Sequence, residues 1–259
     1  RFMKPLTPLW CAVFLATSTY FAACAGVRAP TAAESELLAQ AQAMLEGQPH
    51  EAANMADQLL KQKPQLREAR LLRANSLLAI ANSPDCRMRE QLLRDASNDF
   101  DRALGDAENK PFAEPLRTLA ETYYQLGEWE QGSRAARRSA NGFAERVGQE
   151  NQKEYAKSRL IGANCDFRLF VDARQPEIDG GTPDMNGIVP PEPRTMALAR
   201  IAAAGYGEAR IDFPAIATNQ TAAIELFLGQ NGDAISTYER GLINHPYETA
   251  IHDAYIDWL

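Results

Sequence analysis

Histidine and tryptophan are scarce in this chain, at three residues each in 259. None of His50, His245 and His252 stands at a ligand spacing from another histidine or cysteine, so they read as surface side chains and no zinc site is expected. The four cysteines form no Cys-x-x-Cys pair, which excludes a thioredoxin-like motif, and Cys86 and Cys165 read as two separate small apolar residues. An excess of positive charge is also missing. Lys and Arg number 27 against 34 Asp and Glu, for a formal charge of −7 and a pI near 5.1. That balance does not suit a binder of phosphate backbones, so no nucleic-acid partner is expected. There is no Gly-rich phosphate loop, no Gly-x-Ser-x-Gly elbow and no triad-like order of Ser, His and Asp, so no catalytic residue and no cofactor is assigned. The stretch Thr182 to Gly187 has alternate oxygen donors, but it starts on Thr and its twelfth position is Pro193 where calcium would need a bidentate Glu. It reads as an ordinary Gly/Pro loop.

Long apolar runs are likewise absent apart from one, Leu6 to Ala23. It follows Lys4, is interrupted by Thr17 to Thr19, and reads as a signal peptide over residues 1–23 rather than as a membrane span. Phe21-Ala22-Ala23-Cys24 resembles the lipobox of bacterial lipoproteins, with Phe21 in place of the usual aliphatic residue. That resemblance implies a lipidated Cys24, a tether over 24–33, and an outer-membrane lipoprotein facing the periplasm, since Ala25 is not the Asp of inner-membrane retention. The alternative is an ordinary small-x-small cleavage site and a soluble secreted product. Two residues precede Met3, and the C-terminal helical pattern stops without a cap, so a fragment at both ends is expected.

From Glu34 onward apolar positions follow helical spacing and strand-like alternation is missing, so the expected class is all-α. The helices also recur. Gly47, Ala52 and Pro64 stand at intervals of five and twelve; Ala96, Phe100 and Ala103 follow at four and three. Leu119, Ala120, Tyr123 and Gly127 form a small-and-large ladder closed by a turn at Glu128 to Glu130. Gly229, Ala234, Tyr238 and Pro246 repeat the first spacing. These positions resemble the tetratricopeptide repeat (TPR), a helix hairpin of about 34 residues. The resemblance spans 34–259 and implies a TPR-like α-α superhelix, a solenoid of antiparallel helix hairpins with a concave face for a partner. Two departures stand out: Gly132 occupies an Ala position, and extra residues part the helices of the second hairpin. A fourth hairpin has a helix over about Lys153 to Arg174, then a Pro- and Gly-rich stretch, 175–194, which reads as a projecting loop, then a helix from about Thr195 to Gly205.

In the repeat frame Arg117 and Arg159 occupy the same position of consecutive first helices. With Asn75, Glu121 and Tyr124 they make a candidate partner-binding groove, in which guanidinium and amide donors meet a carboxylate or peptide backbone. The other reading is that each Arg pairs with a nearby Glu such as Glu121. Arg134, Arg137 and Arg138 read as a solvated basic face, with a patch for an acidic partner as the alternative, and Asp99 and Asp101 as solvated residues flanking a core Phe100. The expected function is a non-catalytic periplasmic scaffold or adaptor for a protein or peptide partner, held to the membrane by its lipid anchor. Two alternatives are a glycan-binding helical lipoprotein stacking sugar on Trp129 or Tyr124, and the targeting arm of an enzyme whose catalytic domain lies beyond Leu259.

Overall fold

A computed structural model of the chain describes residues 29–105 and 107–258, and the signal segment and Cys24 lie outside them. Among the described residues there are eleven α-helices and no strand, so the protein is all-α. The described residues divide into two compact units, 29–105 and 107–258.

The first unit contains α1 (Ala32–Met44), α2 (Pro49–Gln62), α3 (Arg67–Ala81) and α4 (Arg89–Leu104). α1 begins inside the segment read as a tether because Thr31 and Glu34 form a capping box. The Thr31 amide donates to Glu34 Oε2 at 2.7 Å, and the Glu34 amide donates to Thr31 Oγ1 at 3.4 Å. Pro49 starts α2, where its missing N–H costs nothing. α2 buries Ala52, Ala53, Ala56, Leu59 and Leu60, and α4 buries Leu93, Ala96, Phe100, Ala103 and Leu104, each set a stripe at helical spacing. Seven residues, 82–88, separate α3 from α4.

Asp99 is not solvated. It is 1% exposed, and Arg73 grips it with both arms of its guanidinium, Nε to Oδ2 at 2.5 Å and Nη2 to Oδ1 at 2.6 Å. The third nitrogen of Arg73 reaches Asp57 at 2.7 Å, and Arg70 stands 3.6 Å from Asp99. One guanidinium thereby ties α3 to both α2 and α4.

The second unit contains α5 (Ala113–Leu126), α6 (Trp129–Ala144), α7 (Gln149–Gly180), α8 (Pro193–Ala209), α9 (Pro214–Phe227), α10 (Asn231–Asn244) and α11 (Thr249–Trp258). Leu119, Ala120 and Tyr123 are buried, as the ladder requires. α5 stops at Gly127, whose φ of 76° is open to glycine without strain; its N–H returns to Tyr124 O and that of Glu128 to Tyr123 O, closing the helix end. The absence of a side chain at Gly132 also has a cause. A Cβ there would stand 2.7 Å from Cys165 Sγ of α7, so the thiol fills the space an alanine methyl would take.

In each unit every helix packs on its neighbours in sequence. In addition, α1 meets α3 in the first unit, while α5 meets α7, α7 meets α9 and α9 meets α11 in the second.

The reading of 175–194 as a projecting loop is corrected. α7 continues through Pro176 to Gly180, and the loop is only 181–192. Proline removes one helical hydrogen bond, but the last turns are pinned by Arg174, a cation 1% exposed. It donates to Phe227 O at 2.9 Å, to Glu177 Oε2 at 3.0 Å and to Val189 O. Glu177 in turn accepts from Thr195 at the start of α8. The loop lies down through Ile188, which packs against Gly229, and presents Met185 to solvent. α8 is longer at both ends than expected.

Candidate functional site

The four groove residues of the second unit do not gather into one open cluster. Asn75 lies half-buried on α3 of the first unit, and the other four belong to the second. On α5, Arg117 forms an ion pair with Glu154 of α7 and stands 3.8 Å from Glu121, one turn along its own helix. Lys157 completes the group, 2.6 Å from Glu154. Two cations and two carboxylates leave it neutral. Burial raises the Glu121 carboxyl above its ordinary range, and the charges of Arg117 and Lys157 offset only part of that rise.

Arg159 faces a different helix. Its Nη2 donates to Glu208 Oε1 of α8 at 2.7 Å, with Nε 2.6 Å from the other oxygen, and the Tyr155 hydroxyl donates to the same carboxylate. The two arginines thus answer to separate glutamates, on α7 and α8. Their charge-assisted bonds are made within the chain, as in the pairing alternative.

Tyr124 stacks at a tilt on Trp129, with ring centroids 5.2 Å apart and planes at 58°. The Trp129 indole N–H donates to Asp172 of α7 at 3.1 Å. Both rings are half-buried, so they offer edges and one partly open face rather than a flat stacking platform.

The basic face of α6 is not simply solvated either. Arg137 donates to both oxygens of buried Asp166, which also accepts from Ser133 Oγ at 2.7 Å. Arg138 donates to Asn109 Oδ1 and Ala107 O, both at 3.1 Å, while Arg134 reaches only Glu130 O on its own helix. Cys86 and Cys165 are both free thiols. Burial, then the nearby Asp166, pushes the Cys165 thiol up to about 12, so it is a packing group and not a nucleophile. Among the described residues no cluster of His, Cys, Asp or Glu has the arrangement to hold a metal ion, and no helix is long and apolar enough to cross a membrane.

Sequence reasoning overlooked polar residues on α9. Thr218, Thr221 and Glu225 recur at intervals of three and four on one face of the helix, and all three border a small cleft. That spacing was the available signal.

No protein-family model and no curated protein matches this chain.

Proposed function

We propose that the protein is a non-catalytic scaffold built from TPR-like hairpins, which holds a protein or peptide partner against the exposed face of its first helices and is anchored to a bacterial outer membrane through a lipidated Cys24. The observation that carries this reading is the stacking of alternate helices, α1 on α3 and α5 on α7 on α9 on α11. In a hairpin repeat the first helices line one surface of the array. The same odd-numbered helices carry Asn75, Arg117, Tyr124 and Arg159. Ladder residues support it: Ala52 and Ala234 are both buried at the fourth position of a second helix, and Ala96 is buried midway along another. The fold alone names no partner, since helical repeats serve many.

The test is capture of envelope proteins on immobilised protein, comparing wild type with Tyr124→Ala and with the double variant Arg117→Ala, Arg159→Ala. A partner retained by wild type and lost with the variants is the expected result. Identical captured sets would remove the groove, and no retained protein would remove the scaffold. The anchor is tested separately, by fatty-acid labelling and membrane fractionation of Cys24→Ala: the label and the membrane association should both disappear.

A further inference from the structure

The second unit contains a cleft of about 130 Å³ between α8, α9 and α10. Ala203, Ala217 and the ring of Tyr206 supply apolar wall, and the remainder is polar. Thr218, 2% exposed, borders it with an Oγ1 that has no hydrogen-bond partner. Glu225 accepts from Thr237 at Oε1 (3.1 Å), while its Oε2 is buried and unpartnered. Buried polar atoms without partners are uncommon in folded proteins and call for an explanation at each occurrence. Thr218 packs closely on Gly241 of α10, where a Cβ would come within 2.6 Å of its Cγ2.

Two cations border the same space. Arg240 donates from Nε to Ser236 O and from Nη2 to Thr237 Oγ1, which leaves Nη1 uncommitted. Arg210 enters no hydrogen bond or ion pair among the described residues. Asp233 also stands close enough to Glu225 to raise its carboxyl, so the two guanidinium groups face two carboxylates and the cleft's charges balance. The cleft therefore asks for a ligand with a carboxylate for the uncommitted guanidinium nitrogens and a hydrogen-bond donor for Glu225 Oε2. Burial raises the Glu225 carboxyl above its ordinary range, as expected of a carboxylate denied donors.

We propose that this cleft binds a small α-hydroxy or α-amino acid: its carboxylate meets Arg210 and Arg240, and its hydroxyl or ammonium donates to Glu225 with Thr218 Oγ1 beside it. The volume admits an acid of a few carbons, and the alanine wall suits a methyl or methylene. This goes beyond the scaffold reading and does not depend on it, because none of Arg210, Thr218, Glu225 and Arg240 belongs to the candidate groove.

The test is isothermal titration of the whole chain with three series: glycolate and L-lactate, glycine and L-alanine, acetate and propionate. One donor-bearing series should bind at least roughly tenfold more tightly than the simple carboxylates, since a site built to pair a donor rejects the analogue lacking it. Which series binds identifies the donor as hydroxyl or ammonium. Arg210→Ala should weaken that binding by roughly tenfold to a hundredfold. Thr218→Val should weaken it while leaving the ligand-free melting temperature unchanged or raised, because it deletes an unpartnered hydroxyl. Equal or absent heats across the three series would overturn the proposal. So would binding indifferent to Arg210→Ala, or a Thr218→Val protein that melts lower while binding as wild type, which would make the hydroxyl structural.

Discussion

Both units join their helices with charge, and the second also brings them together through glycine. In the first, Arg73 spans from Asp57 on α2 to buried Asp99 on α4, and neither described glycine touches a neighbouring helix: Gly47 has open space around it and Gly105 faces only its own chain at Asp101. In the second, a Cβ would collide at Gly132 with Cys165, at Gly142 with Asn109, at Gly205 with Ala163 and at Gly241 with Thr218. A buried fork depends on both partners and on their hydrogen bonds, whereas close backbone approach depends on the absence of a methyl. Two packing solutions to one problem should fail under different perturbations.

The largest effect is expected from Asp99→Ala. It strands Arg73 and Arg70 beside a cavity, and because Arg73 is partly exposed the loss in urea-unfolding stability should fall at the lower end for a broken buried pair, about 3 kcal/mol. Gly142→Ala comes next. Its new methyl would meet Asn109 O at 2.4 Å and Ala113 Cβ at 2.9 Å, obstacles of backbone and core, for a loss of about 2 kcal/mol. Gly47→Ala in the first unit serves as its control and should change stability by no more than about 0.5 kcal/mol, in either direction. A loss at Gly47 matching that at Gly142 would erase the contrast between the units. Gly132→Ala should be partly rescued by Cys165→Ala, with a coupling of about 1 kcal/mol in a double-mutant cycle, because one sulfur creates the clash.

Acid separates the units most finely. The hydrogen bond from Lys63, followed by that from the Thr31 amide, lowers the Glu34 carboxyl from 4.5 to about 2. A depressed carboxylate contributes stability above its unfolded pKa and loses it as pH falls, so the start of α1 should lose amide protection between about pH 4.5 and 2. Glu121 and Glu225 in the second unit are raised by burial, so their contribution has the opposite sign: present below the unfolded pKa and lost as pH rises through the folded one. Hydrogen exchange resolved by segment would show the start of α1 and the segments around Glu121 and Glu225 responding in opposite senses. A common response would mean these carboxylates do not govern the local acid behaviour.

What was legible in the sequence was local. Leu119, Ala120, Tyr123 and Gly127 fix a helix face and its stop within nine residues, and the structure places all of them in those roles. Asp99 was misread because the group that makes its burial tolerable, Arg73, lies 26 residues earlier on another helix. α7 outran its expected end because a breaker rule at Pro176 was weighed without Arg174 and Glu177, whose partners lie across the loop and on α8 and α9. Arg117 and Arg159 show the same limit: their spacing in the sequence says nothing of Glu154 and Glu208, which decide where the guanidinium groups go.

The length of α7 bears on how the second unit comes apart. At 32 residues it extends about 48 Å, twice its neighbours or nearly so, and it touches α5, α6, α8 and α9. Linear arrays in which each hairpin meets only the next can fray from an end, one hairpin at a time. A spine shared by four other helices denies that route over most of the unit: peeling away α5 and α6, or α8 and α9, strips an entire flank of α7 at once. Only α10 and α11 lie beyond its reach, so partial melting should be confined to the C-terminal helices while α5 to α9 are lost in one cooperative step.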